Sequence, residues 1–568
     1  MTRDKPGADA KNLVEDLTIV SGNGYDCACH QIVTRRPMAF GTETPKGDTG
    51  RLIWSPEYLR LSAALVFMIG VFVYALLQTR GIPALTPQGL LLLVSSAIVG
   101  AYMAMNIGAN DVANNLGPAV GSGAITLGGA IAIAAVFEAM GAIVAGGNVV
   151  GTIKGGIIDP EGVAQASDFA WLMFSALLAG ALWLNLATAL GAPVSTTHSI
   201  IGAVMGAGIA AGGWGLVNWG TIGQIVASWV ISPLMGGVIA AVFLYVIKRN
   251  ITYRGEMHEA AGRVVPWLVA IMAWAFATFM LIKGLGDIYR LPVDRAALVG
   301  LGFGILVFLL LRGIIHRHAL QMENNKEGVN ELFTLPLIFA AALLSFAHGA
   351  NDVANAVGPL AAIYEAIQTG EIASRAPTPM WILVLGALGL AAGLALYGSK
   401  LIRTVGKEIT EIDRMRAFSI AIAAAITVII AAQLGMPVST THVTIGALFG
   451  VGFLREYLKM NYAKMEETII AGHEGEERAK VEEYLRRFEA APVTEKRLML
   501  AEMKRRYKES AEPSLFAKKE RKAMKKAYES QLVKRSLVVR IVAAWIITVP
   551  ATAILAAGLF KLIILLGG

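Results

Sequence analysis

Charge is scarce in this 568-residue chain. Only 16 % of its residues are Asp, Glu, Lys or Arg, against about 25 % in an average soluble protein. Cysteine is scarcer still, with Cys27 and Cys29 the whole complement. Two thiols exclude a disulfide framework. The run Cys27-Ala28-Cys29-His30 offers three metal ligands in a polar segment, too few for a closed zinc site. Walker A, dinucleotide-binding and zinc-protease signatures are missing. Residues 1–58 are polar and punctuated by Gly22-Asn23-Gly24 and Pro45-Lys46-Gly47, so they read as a tail and not as a signal peptide.

Apolar residues fill the space that charge leaves. They make up 55 % of the chain, and 61 residues are glycine. Mean hydropathy is +0.59. Such values exclude a disordered chain and argue against an ordinary cytosolic enzyme. They fit an all-α, polytopic membrane protein. Apolar stretches from Leu61–Gln78 to Val538–Leu566 predict roughly 11–13 crossings of a bilayer. Several are short and end at polar motifs, as Leu332–Ala347 does, which predicts broken or re-entrant helices.

The net charge of +8 suggests nucleic acid until it is located. Between Arg455 and Arg540 stand 22 basic and 15 acidic residues. Most of the excess therefore sits in one polar segment between apolar spans. That is the positive-inside bias of a cytoplasmic loop, and no nucleic-acid partner is expected. Rich in Glu and Lys, residues 456–536 read as a charged helical insertion.

The chain repeats itself. Gly108-Ala109-Asn110-Asp111-Val112-Ala113-Asn114 recurs as Gly349-Ala350-Asn351-Asp352-Val353-Ala354-Asn355, an offset of 241 residues. Pro193-Val194-Ser195-Thr196-Thr197-His198 recurs as Pro437-Val438-Ser439-Thr440-Thr441-His442, an offset of 244. A fainter match links Ala227-Ser228-Trp229 and Pro233 with Ala543-Ala544-Trp545 and Pro550, at 316 for the tryptophans. The excess of 72 over 244 measures the insertion. No Lys or Arg lies between Lys154 and Lys248, whereas the equivalent end of the second copy runs into the basic insertion. Equivalent ends with opposite charge bias predict inverted-topology repeats. The expected organisation is a tail (1–58), an extra span (59–80), repeat 1 (89–250), connecting spans (251–331), repeat 2 (332–455), the insertion (456–536) and the last span of repeat 2 (537–568). The insertion, the Lys248–Arg263 loop and the tail are expected in the cytoplasm, and Gly568 outside.

An acidic residue at membrane depth costs at least ~2.5 kcal/mol unless it meets a partner. Asp111 and Asp352 incur this cost at matched positions. Helix breaks there would present backbone ends to an anion, and carboxylates with Asn amides to a small cation. Capping of helix ends is the alternative, but it does not require seven identical residues twice. The Ser-Thr-Thr hydroxyls donate to an oxyanion without adding fixed charge; back-bonding within a helix is the alternative for one or two of them. His198 and His442 are read as orienting hydrogen-bond groups or as proton carriers. Glu138 stands in the apolar run Ala134–Met140 and faces either a cavity, a cation or, by snorkelling, water. Aligning Val136-Phe137-Glu138 with Val384-Leu385-Gly386 puts Gly386 at its counterpart.

With these motifs the chain resembles the Pit-type inorganic phosphate transporters, the family of the animal sodium–phosphate symporters that also serve as retrovirus receptors. Val120–Thr126 and Lys400–Glu408 add to the likeness. The resemblance implies a cation-coupled phosphate importer with its substrate between two inverted broken-helix units. It assigns Asn110, Asn114, Asn351 and Asn355 with Ser195, Thr196, Thr197, Ser439, Thr440 and Thr441 to phosphate. It assigns Asp111, Asp352 and Glu138 to the coupling cation, with Asp111 and Asp352 as ligands if that cation is Na⁺. Three features depart from the family: the tail, the extra span, and Ala421 where animal members carry a second intramembrane Glu.

The expected function is thus phosphate import coupled to Na⁺ or H⁺ across a plasma or inner membrane. No other cofactor is expected, and a homo-oligomer is possible. A sulfate permease of the same architecture is the near rival. A phosphate sensor signalling through the insertion is the distant one. A membrane enzyme with Asp111 and Asp352 as an acid–base pair lacks a nucleophile, metal cluster or cofactor motif.

Overall fold

The computed structural model describes residues 56–470 and 535–566, apart from 81, 83–84, 160–161, 164, 190–193, 285–290, 371, 373–376, 400–401 and 403–411. Cys27, Cys29, most of the polar tail, most of the charged insertion and the Lys400–Glu408 stretch, bar Ile402, lie outside the described residues. Among those residues every extended element is a helix, and eleven are long and apolar enough to cross a membrane.

Short polar caps start the helices, because the first turn leaves N–H groups without intrahelical acceptors. After α1 (Pro56–Thr79), Thr86 accepts the Gly89 amide and opens α2 (Pro87–Asn110). One residue, Asp111, separates α2 from α3 (Val112–Gly121). Thr126 caps α4 (Leu127–Ala145), and α5 (Gly147–Gly151) runs into a π-helical turn, Thr152–Gly156. Then come α6 (Ala166–Ala189), α7 (Thr196–Gly212) and α8 (Trp219–Ile247). Helices α9 (Met257–Lys283) and α10 (Val293–Gln321) form an antiparallel hairpin, with Gly300 against Thr278 and Gly304 against Ala270. The short α11 (Lys326–Leu332) leads into α12 (Thr334–Thr369), the most buried of the candidate membrane spans among the described residues. The order closes with α13 (Met380–Gly393), α14 (Arg414–Gln433), α15 (Thr440–Ile470) and α16 (Arg535–Leu565).

Repeat-equivalent helices run in opposite directions. Gly89 of α2 lies by Ile367 of α12, and Gly100 lies by Leu360 and the Ala356 carbonyl. Numbers rise along α2 as they fall along α12, which is the inversion expected from the charge bias.

The repeats also exchange helices. A Cβ on Gly202 or Gly206 of α7 would fall on the Val549 or Ala553 carbonyl of α16. A Cβ on Gly446 or Gly450 of α15 would fall on the Pro233 or Gly237 carbonyl of α8. The offsets 244 and 316 carry one contact onto the other. Lipid gives no hydrophobic drive for helix pairing, so such backbone approach supplies the packing energy.

A second symmetric set corrects the register of Glu138. Gly349 abuts the Glu138 carbonyl and Gly108 abuts that of Leu390; Gly141 abuts Phe346 and Gly393 abuts Met105. Leu390 is therefore the counterpart of Glu138, in place of Gly386. The two alternatives differ by four residues, about one turn, so both lie on nearly the same helix face.

Two expected boundaries also move. The span expected to end at Ala347 continues through the Asn-Asp motif to Thr369, and α15 extends to Ile470, past position 456.

Candidate functional site

The two Pro-Val-Ser-Thr-Thr segments meet the two Asn-Asp segments through helix N-termini. Ser195 Oγ accepts the His198 amide at 3.2 Å and Ser439 Oγ accepts that of His442 at 3.4 Å. Both serines thus cap α7 and α15 as acceptors, which leaves each O–H able to donate. Helix breaks were expected at both Asn-Asp motifs; the first copy shows only a one-residue interruption at Asp111, which keeps right-handed helical angles and bonds its N–H to the Ile107 carbonyl, and the second shows none. Asp352 sits within the unbroken α12, and both carboxylates find hydroxyl partners without any opening of the backbone.

Those partners repeat across the pseudo-symmetry. Thr196 donates to Asp111 Oδ2 at 2.9 Å, and Thr440 donates to Asp352 Oδ2 at 2.8 Å. Other bonds join the repeats. Thr441 donates to Asp111 Oδ1 at 3.2 Å, and Asn355 Nδ2 reaches Thr196 and Thr197 at 3.3 and 3.2 Å. Thr197 donates to the Val438 carbonyl at 3.1 Å. Asn351 holds the loop before α15, donating to the Met436 carbonyl at 3.1 Å and accepting the Val438 amide at 3.3 Å. Asn110 turns away from the aspartates and donates to Thr188 on α6 at 2.7 Å. The side chain of Asn114 lies outside the described residues.

One central residue was missed by motif matching. His348 Nδ1 lies 3.0 Å from Glu138 Oε1, and its Nε2 lies 2.9 Å from Asp352 Oδ2. All three side chains are fully buried. The 241-residue offset pairs His348 with Ile107, so a search for repeated residues passes over it. The available signal was a histidine immediately before the second Gly-Ala-Asn-Asp. It also explains how Glu138 is held: the carboxylate meets an imidazole inside the protein.

Asp111, His348 and Asp352 each offer a ligand atom, all within 4.8 Å of one another. Among the described residues Asp352 Oδ1 and Asn355 Oδ1 are buried acceptors with no hydrogen-bond partner. Three carboxylates face one imidazole, and no Lys or Arg among the described residues pairs with them. Such a cluster holds surplus negative charge and orphan oxygens, the donor set a hard cation takes. Its hydroxyls and helix N-termini favour anions.

His198 and His442 stand close together where the repeats meet. Their ring centroids lie 4.7 Å apart, and the His198 and Trp229 ring centroids lie 3.7 Å apart with the rings near perpendicular. Trp229 Nε1 donates to the Pro437 carbonyl at 3.1 Å. The two imidazoles thus pack the junction of the repeats. A further link, Lys154 of the π-helical turn to Glu365 of α12, is a buried ion pair between repeats that no motif announced.

Comparison with known proteins gives three concordant likenesses. Residues 107–556 match the family described as the phosphate transporter family. A Helicobacter pylori (strain J99) protein named "Putative phosphate permease" is 51 % identical over 511 residues, covering 89 % of this chain and 95 % of its own. A Pyrococcus horikoshii protein of the same description is 39 % identical over 380 residues, covering 67 % and 93 %. Among solved structures, one titled "The sodium-dependent phosphate transporter" superposes with a TM-score of 0.67 at 30 % identity, covering 84 % of this chain and 99 % of its own.

Proposed function

Since the chain belongs to the phosphate transporter family, and its fold is that of a multi-span membrane transporter, we propose that it imports inorganic phosphate across the cell membrane, driven by Na⁺. The observation that carries this reading is the surplus of buried carboxylate at Asp111, Glu138 and Asp352, with orphan oxygens on Asp352 and Asn355. A cation at these oxygens neutralises the aspartates. Thr196, Thr440 and Thr441, which otherwise donate to them, then turn to the anion at the N-termini of α7 and α15. Cation binding precedes phosphate binding for this reason.

Energetics require the coupling. A divalent anion entering a negative-inside cell works against about 2 × 2.3 kcal/mol per 100 mV. Two monovalent cations cancel that and a third makes import favourable. Hydrogen phosphate also donates a hydrogen bond, which sulfate cannot, so an adjacent carboxylate favours phosphate.

Sodium as the driving ion is supported by the oxygen donors and by the sodium-dependent neighbour. A proton-coupled reading has its own observation: His348 between Glu138 and Asp352 is a group that carries a proton. Uptake of labelled phosphate and sulfate into proteoliposomes under imposed Na⁺ or proton gradients separates these readings. Phosphate uptake that needs Na⁺ and vanishes in Asp111→Asn and Asp352→Asn supports the proposal. Normal uptake in both variants, or sulfate uptake alone, removes it.

A further inference from the structure

Helix α2 carries a polar face that the site described so far does not use. Tyr102, Asn106 and Asn110 recur every four residues, and all three stay partly exposed along an otherwise apolar span. Beside them, α6 exposes Asn185 and Thr188. The two helices are tied by Asn185 to the Tyr102 hydroxyl and by Asn110 to Thr188. Asn106 donates to the Tyr102 carbonyl at 3.0 Å, and Thr188 to the Leu184 carbonyl. These bonds leave the amide oxygens without a proton to accept. Hydrocarbon would leave them so, whereas water or a solute would not.

The second repeat has no such face. The offsets 241 and 244 carry Tyr102, Asn106, Asn185 and Thr188 onto Leu343, Ala347, Ile429 and Ala432, all apolar and all buried. Fold symmetry therefore does not require these polar residues. The face thins outward of Tyr102: the next exposed or partly exposed positions are Val99 and Ile98 on α2 and Leu182 and Leu178 on α6, with Ser95 the one polar position on α2 before Leu91. Its inner end is Asn110, the residue next to Asp111.

We propose that Tyr102, Asn106, Asn110, Asn185 and Thr188 line a water-filled chamber that holds inorganic phosphate beside the acidic cluster, closed at its outer end by the Tyr102–Asn185 hydrogen bond. The choice of phosphate as the occupant rests on the function proposed above; the hydration of the chamber does not. Amide N–H and hydroxyl groups suit a transient site for an oxyanion. They donate hydrogen bonds, and they carry no charge that would trap it.

Thiol accessibility tests this on the full chain in vesicles, with Cys27→Ser and Cys29→Ser as background. Asn106→Cys and Thr188→Cys should react with a charged, water-soluble thiosulfonate at least tenfold faster than Leu309→Cys, on the lipid-exposed face of α10. Inorganic phosphate should slow both reactions, and sulfate should not. Adding Tyr102→Phe should speed reaction at Asn106→Cys several-fold by opening the outer end. Reaction at both sites no faster than at Leu309→Cys overturns the chamber, whatever the uptake assays give. Fast reaction without phosphate protection, alongside absent phosphate uptake, overturns the phosphate reading and leaves the hydrated chamber standing.

Discussion

Ser439 and Thr440 are adjacent, but one oxygen accepts where the other donates. Ser439 Oγ takes the His442 amide, while the Thr440 hydroxyl gives its proton to Asp352. Their variants should therefore fail differently. Ser439→Ala removes a cap worth about 1 kcal/mol and should appear mainly as a lower unfolding temperature of the purified protein. On the proposed mechanism Thr440 turns from Asp352 to the bound anion, so Thr440→Val removes a hydrogen bond to a charged ligand, worth roughly 1.5–3 kcal/mol. Phosphate affinity should then fall roughly 10- to 150-fold, as competition binding would measure. Equal affinity losses in both variants would place the serine on the anion too. Glu365→Gln should behave unlike either. It takes the carboxylate from Lys154, whose side chain is 4 % exposed, and breaking a buried pair costs about 3–5 kcal/mol. Replacing both partners, Lys154→Met with Glu365→Leu, should recover most of that stability in thermal unfolding. A single variant as stable as the parent would mean that water reaches the pair.

Helix packing here depends on backbone approach more than on side-chain volume. Gly206 of α7 lies on the Ala553 carbonyl of α16, whereas Gly558 of α16 has open space around it. Gly206→Leu must push α16 away, and overpacking of this kind costs about 1–3 kcal/mol. Gly558→Leu should leave the unfolding temperature unchanged, and a matching loss in both variants would deny the close contact its role. The same contacts explain what was legible in the sequence. Identical residues at fixed offsets disclosed both repeats, and their opposite charge bias disclosed the inversion, because each is written in residue identity. The unbroken α12 was not legible, since an Asn-Asp pair inside an apolar run reads as a break until its partners on α15 are seen. Glu138 was matched one turn out because apolar helices repeat Gly, Ala and Leu too evenly to fix register. His348 escaped because its partner position, Ile107, is apolar, so its role arises only where three helices meet.

At the scale of the whole molecule, the two ends of α12 mark two faces. Around its start, Arg414 donates to Thr334, and Lys248, Lys326, Arg416 and Arg455 are electrostatic neighbours. Around its end, Ile367 and Gly370 share a cavity of about 590 Å³ with Leu85, Ser167, Ile563 and Leu566. Helix α12 has 36 residues, about 54 Å at 1.5 Å per residue, enough to put these groups on opposite sides of a ~30 Å hydrocarbon core. Basic residues concentrate on the cytoplasmic side, so the start of α12 should face the cytoplasm. The end of α16 and the turn between α1 and α2 should then face outward, with the start of α1 at Pro56 on the cytoplasmic side. The charged insertion follows α15 from the basic face and should be cytoplasmic as well. In vesicles of known orientation, with both natural cysteines replaced by serine, Leu566→Cys should react with an impermeant thiol reagent from outside. Ser510→Cys should react only once the membrane is opened. Reaction of both from the same side would contradict this topology, because α16, which lies between them in the chain, would then not cross the membrane.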